Sequence, residues 1–339
     1  MIARHEQISS YEKHFLAKDR MTPLVPIMLF GWVPFSIFLF SILKPHQAVL
    51  VAVIGGTLFL PMTGYDFPSI IPPFTKGTSI AIGLVLGGRI SRKRRKAQFH
   101  WKLIDLPMLL WCTIPLATSL SNNLGWYEGV SGLWNTTMVW GVPYFAGRIY
   151  FDSMEKLQDL CRALVIGGLI YIPLCLYEIR MSPQLSNMVY GFFPHIFAQQ
   201  RRYGGFRPVV FMQHGLMVSL WMATTTTAAF WLWRSGFMKS VKGLSMSLFV
   251  PLFILTTILC KSVNGWFAML LGFASYFLYK SCTSIRPFQV LLLIIPFYIA
   301  LRISGVLAGS TIENFASQFV DISRLQSLEL RLHEEDLFI

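Results

Sequence analysis

The sequence predicts an all-α membrane protein: a polytopic bundle of about nine or ten transmembrane helices, with an outward amphipathic helix at the C-terminus. Three observations predict it. Hydrophobic residues make up 54% of the 339-residue chain and charged residues only 13%, with a mean hydropathy of +0.54. A soluble chain of this length needs more polar residues to cover its surface. Apolar runs of about 17 to 22 residues recur along the chain, long enough to cross a bilayer core as helices. The short alternating segments of a transmembrane barrel do not occur.

Taken in order, a mixed-charge segment, 1–22, lacks a cleavable signal pattern. The membrane domain, 23–305, comes next, with spans expected at 23–43, 46–64, 70–88, 105–121, 130–147, 161–179, 209–233, 244–260, 264–280 and 287–305. Pro34, Pro107, Pro115, Pro143, Pro173, Pro251 and Pro296 lie in or beside these spans. Membrane helices accept proline where neighbours satisfy the freed carbonyls. Residues 306–339 begin an outward loop. Its stretch "NFASQFVDISRLQSLELRLHEEDLFI" places Phe315, Phe319, Ile322, Leu325, Leu328 and Leu332 at helical spacing, which predicts one amphipathic helix.

The net charge is +13, yet nucleic acid is rejected as a partner. Much of the charge lies in "GRISRKRRKAQFHWK", 88–102, beside an apolar span, where basic runs mark the cytoplasmic face and touch anionic lipid. Placing 89–102 in the cytoplasm puts the basic loops 148–160, 234–242 and 280–286 there too. Segments 122–129, 180–208, 261–263 and 306–339 then face outward. Three spans before the basic run place the N-terminus outside, against its own four Lys/Arg. The alternative is an incomplete early crossing, and the third span, opening with "IIPPFTKG", is the candidate. The five cysteines have neither metal-ligand nor redox spacing and read as small buried residues.

The positive-inside tendency makes the outward arginines conspicuous. Arg201, Arg202 and Arg207 crowd the stretch "QQRRYGGFRPVVFMQHG", and Arg180, Arg324 and Arg331 share their side. Each alone reads equally as a loop arginine in water or against lipid phosphate. Together with Gly204 and Gly205 they suit an anionic, phosphorylated substrate, because guanidinium forks match phosphate oxygens and glycine lets backbone approach a ligand. Lys261, in a turn between two apolar runs, is a further candidate beside the reading of a snorkelling lysine. Glu178 and Arg180 read as a structural pair, with each other or with the arginine cluster. His214 reads first as a helix-start residue and second as a base, and His195 ranks below it. Trp126, Tyr127, Trp134, Trp221 and Trp266 read as interfacial anchors and Thr224 to Thr227 as packing residues.

The chain resembles the bacterial O-antigen ligase and polymerase superfamily over nearly its whole length. The order of features carries the likeness: "RRYGGFRPVVFMQHGLMV" before a span, "TTILCKSVNGWFAML" as two spans joined by a tight basic turn, "PFQVLLLIIPFYIALRISG" as a last span, then "RLQSLELRLHEEDLF". "SNNLGWYEGVSGLW" and "WGVPYFAGRIYF" resemble words in members' outer spans. The resemblance implies a metal-free and cofactor-free glycosyltransferase of the inner membrane. It would take a glycan from an undecaprenyl-pyrophosphate carrier at the periplasmic face and pass it to a lipid or glycan acceptor. Arg202, with Arg207 as near alternative, and Arg331 match arginines expected to be catalytic. Arg201, Arg207, Arg324, Lys261 and His214 would help bind the diphosphate, with Lys261 standing where many members have a serine-arginine pair.

Members continue to an outer-loop histidine thought to act as general base, then through further spans. This sequence stops at Ile339, a few residues past Arg331, so it is expected to be a fragment or a truncated form. Two other readings stand beside the first. A transporter or flippase of an anionic or lipid-linked substrate predicts mid-span charges and inverted repeats, which are scarce here. A non-catalytic subunit that binds the carrier lipid predicts the arginines without a base.

Overall fold

The computed structural model describes residues 21–67, 72–90, 99–282, 286–318 and 322–338, and these are mostly helical. They form two compact units, one ending at Phe273 and one starting at Ala274. Helices α1 (Leu24–Ile42), α2 (Pro45–Phe59) and α3 (Lys76–Ile90) open the first unit, with the short pair β1 (Gly64–Tyr65) and β2 (Phe74–Thr75) before α3. Next come α4 (Leu106–Ser121), α5 (Trp126–Thr136) and α6 (Val142–Tyr150). The unit closes with α7 (Met154–Met181), α8 (Leu185–Tyr190), α9 (Gly215–Arg234), α10 (Met246–Leu259) and the first part of α11 (Val263–Cys282). The hairpin β3–β4 (Arg201–Arg202 and Gly205–Phe206) precedes α9, and β5–β6 (Ser240–Val241 and Leu244–Ser245) precedes α10. The second unit holds the rest of α11, then α12 (Arg286–Ile303), α13 (Gly309–Ala316) and α14 (Ile322–Phe338).

Helices Leu24–Ile42, Leu103–Ser121, Met154–Met181 and Gly215–Arg234 are long and apolar enough to cross a membrane. Each expected span contains a described helix, but several ends move for local reasons. Helix α2 stops before Pro61, which biases the preceding residue away from helix, and the consecutive Pro72 and Pro73 delay α3 to Lys76. Residues 68–71, including the two isoleucines of "IIPP", lie outside the described residues. Helices α5 and α6 run on through a π-helical turn, Thr137–Gly141. Pro143 lacks the N–H that would reach the Val139 carbonyl, and the turn falls there. The expected single C-terminal helix is instead two: α13 ends at Ala316 and α14 begins at Ile322, with Phe319 outside the described residues. Leu332 is buried, as an inward position requires.

Small residues set the packing, as in membrane bundles where close backbone approach replaces a hydrophobic driving force. A Cβ on Gly83 of α3 would lie 2.7 Å from the Ser36 Cβ of α1, so these helices touch nearly backbone to backbone. Gly168 of α7 does the same against Thr225 of α9 and Phe253 of α10. Thr226 and Thr257 share a 2.8 Å hydrogen bond across α9 and α10, which makes the threonine run a packing feature in part. Around them Leu29, Leu58, Val165, Tyr171, Met222 and Phe253 form a buried core.

Hydrogen bonds sort the helix ends. Thr22 Oγ1 donates to the Val189 carbonyl at 3.0 Å and Tyr190 Oη to the Phe59 carbonyl, so the start of α1 and the end of α2 meet α8. At the other end His46, opening α2, lies 3.2 Å from Asp159, near the start of α7. Lys76, opening α3, donates to the Thr57 carbonyl near the end of α2 at 3.0 Å, and the chain at Thr22 sits at the end of the unit that carries α8.

Candidate functional site

The site is built by the segment between α8 and α9. Gly191, left-handed at φ 78°, ends α8. The chain returns as Gln200 and the β3–β4 hairpin, where Arg201 pairs Phe206 and Arg202 pairs Gly205. Tyr203 and Gly204 carry φ of 50° and 65°, the consecutive positive angles of a tight hairpin turn. Arg201 and Arg202 are both exposed, and residues 201–206 line a recess of about 290 Å³. The Arg207 amide donates to the Gln200 carbonyl at 2.8 Å, extending the ladder by one bond.

Glu178 fixes the backbone between the hairpin and α9. Its Oε2 accepts from the amides of Val209 and Val210, both at 2.7 Å, and its Oε1 accepts from Leu185 at 2.9 Å. The expected Glu178–Arg180 pair is not formed, because the carboxylate is fully buried and spent on backbone donors while Arg180 is exposed. Tyr171 Oη accepts from the Phe211 amide at 3.3 Å. Val210 sits at φ 53°, an uncommon angle for a β-branched residue, held by these contacts. Helix α9 therefore starts at Gly215, not near 209 as expected: 207–212 is tied to the end of α7.

The structure separates the clustered arginines. Arg207 is only 1% exposed, unlike its two neighbours. Its Nη2 donates to the Lys261 carbonyl at 3.2 Å, while Lys261 Nζ donates to the Tyr203 carbonyl at 3.3 Å. Lys261 itself has φ 52°, which turns the chain between α10 and α11. Any side chain at Gly205 would collide with Lys261 Nζ, so glycine there is a condition of the contact. Tyr203 stacks on Trp266 with ring centroids 6.1 Å apart, which gives Trp266 a specific partner besides its expected anchoring role. Burial pulls the Arg207 guanidinium down to about 10, with Arg202 adding repulsion, and it stays charged at neutral pH.

His214 caps α9: its Nδ1 accepts from the Leu216 amide at 3.0 Å. Burial, then His195, Arg207 and Arg202, lower its pKa to about 4. His214 is thus neutral, with the proton at Nε2 and the other nitrogen committed to the cap, the first of its two expected roles. His195 packs edge-on against it, 4.5 Å between centroids, with its own Nδ1 accepting from Ile196.

Arg324 and Arg331 belong to the second unit, described by itself. Arg331 is exposed on α14, and the Arg324 side chain lies outside the described residues. The buried cation there is one that the sequence did not single out. Arg302 donates to Asp336 Oδ1 at 2.7 Å and faces Glu335 at 3.3 Å, and Tyr298 Oη donates to Glu335 at 2.8 Å. Part of the surface-like "HEED" thus holds α14 to α12. Gln200 and Ser262 were also missed; each is buried, and each adjoins a charge in the sequence, the one signal that could have found them. Among the described residues no group of three or more His, Cys, Asp or Glu could hold a metal ion. No known family model, curated protein or solved structure matches the chain.

Proposed function

We propose that this is a multi-pass inner-membrane protein that binds the diphosphate of an undecaprenyl-linked glycan, and that it is a glycan ligase or polymerase. One observation carries the reading: the exposed Arg201–Arg202 hairpin, with Lys261 against its turn and a recess lined by residues 201–206. Two exposed cations on one hairpin, with Lys261 beside its turn, suit a diphosphate, and each guanidinium can present paired donors to it. In the transfer an acceptor hydroxyl attacks the anomeric carbon, and its proton passes to the departing diphosphate. The bond to the diphosphate breaks, the diphosphate leaves with the electron pair, and positive charge stabilises it.

The test uses the full chain in nanodiscs with undecaprenyl pyrophosphate as probe, then glycan transfer in membranes. Arg202→Ala is expected to weaken probe binding about tenfold and to abolish transfer, with membrane insertion intact. Normal transfer by Arg202→Ala would sink the enzymatic reading.

A second reading is favoured by His214, whose Nδ1 is committed to the helix cap. A chain that binds the carrier without its own base is a carrier-presenting subunit. Probe binding that depends on Arg202, with no transfer by the unaltered chain, selects this reading.

A further inference from the structure

Behind the exposed hairpin lies a second polar group with different chemistry. Gln200, Arg207 and Ser262 are 0%, 1% and 1% exposed. Five of their atoms have no hydrogen-bond partner: Nε and Nη1 of Arg207, both amide atoms of Gln200, and Oγ of Ser262. They lie together. A Cβ on Gly215 would stand 3.0 Å from Gln200 Oε1 and would collide with the Arg207 side chain. Ser262 is next in sequence to Lys261, whose carbonyl takes Arg207 Nη2.

Charge and donor count both point to an anion. Among the described residues no carboxylate forms an ion pair with Arg207, and the nearby Glu178 is spent on backbone amides. A buried, unpaired guanidinium is costly, so one compensating negative charge is called for. Gly215 opens the 20-residue α9, whose N-terminal end adds about half a positive charge on the same side. Of the five atoms three are donors only, one is an acceptor only, and the hydroxyl is both. Of the five atoms only those of Arg207 belong to a charged group, and one guanidinium matches a compact monoanion.

We infer that Gln200, Arg207 and Ser262 form a binding site for one compact carboxylate, distinct from the exposed diphosphate hairpin. The guanidinium takes the charge. The Gln200 amide and Ser262 hydroxyl take the remaining oxygen lone pairs, and Gln200 Oε1 accepts from a hydroxyl neighbouring the carboxylate. A hydroxy-acid group, such as the acid end of a uronic sugar or a small free hydroxy acid, fits this set of donors and acceptors. The site stands without the glycan-transfer reading, because it is tested with no glycan present.

The test is the thermal unfolding midpoint of the full chain in nanodiscs at neutral pH, with acetate replacing chloride at constant ionic strength. The midpoint is expected to rise and saturate with acetate. Gln200→Glu supplies the carboxylate from the chain, so it should raise the midpoint in chloride and remove the acetate response. Ser262→Ala should fold normally and shift the half-effective acetate concentration upward about tenfold, the equivalent of one lost hydrogen bond to a charged group. Glucuronate should act at lower concentration than acetate. The inference is overturned if acetate has no effect, if its effect is the same in Ser262→Ala as in the unaltered chain, or if inorganic phosphate stabilises more than acetate does.

Discussion

Arg207 and Lys261 hold each other's backbone segments in place. The Arg207 side chain reaches the Lys261 carbonyl at 3.2 Å, and the Lys261 side chain reaches back to the Tyr203 carbonyl at 3.3 Å, four residues before Arg207. The arginine hairpin and the α10–α11 turn are thereby one construction, although more than fifty residues separate them. The buried half of this clasp is built on a guanidinium and the outer half on a partly exposed ammonium, so the two should respond differently to mutation.

Lys261→Met removes the outer half and keeps the side chain's length. Its effect on stability should stay within about 1 kcal/mol, as for exposed polar contacts. The amides of residues 201–206 should nonetheless exchange faster. Hydrogen exchange read by mass spectrometry checks this; unchanged protection of the hairpin would remove Lys261 from its support.

Gly215→Ala attacks the inner half. The new methyl would overlap the Cγ and Cδ of Arg207, which is buried and cannot swing into solvent. Overpacking of this kind costs about 1–3 kcal/mol. Chemical denaturation in detergent should show that loss, and Gly204→Ala, where a Cβ meets nothing within 4 Å, is the control for space, with only the φ of 65° opposing it.

Glu178→Gln keeps the shape but turns one of the two oxygens into an NH₂ group. That group faces an amide donor, either Leu185 or the Val209–Val210 pair. The expected loss is about 2–4 kcal/mol, from one or two hydrogen bonds to a charged group. Limited proteolysis should then cut between Arg207 and His214, a segment the unaltered protein protects.

The pH dependence rests on His214, whose pKa falls from the usual 6.5 to about 4 through burial first and then His195, Arg207 and Arg202. The unfolded chain binds a proton more readily than the folded one across that window. The stability this neutral histidine allows is full above about 6.5 and is lost as pH falls toward 4. His214→Asn retains a capping side chain and should flatten the slope of unfolding midpoint against pH between those values.

In the second unit, Arg302→Gln breaks the contacts to Glu335 and Asp336. Those carboxylates are about half exposed, so they return to solvent at little cost, and the penalty is the lost anchorage of α14. The expected outcome is faster exchange over 322–338 with the first unit's midpoint unchanged.

The helices were legible in the sequence because an apolar run without charge has few places to go but a bilayer or a core, and their period and length come from backbone satisfaction in lipid. The arginine-glycine stretch was legible as a site because charge beside apolar spans is expensive to hold. Roles within that stretch were not. Arg201, Arg202 and Arg207 look alike in "RRYGGFR", yet two are exposed and one is buried. The difference is set by Gly215 leaving room beneath Arg207, by the Lys261 carbonyl receiving it, and by Glu178 pulling the adjoining backbone inward. Each of those partners lies on another helix or beyond a turn. Likewise "HEED" reads as surface until Arg302, thirty-four residues before Asp336, is seen to meet it. By itself the sequence determined which segments are helical and apolar and where charge gathers, since those depend on local composition. Only the tertiary structure decided which charges are paired, buried or presented, since that depends on which distant backbone groups arrive beside them.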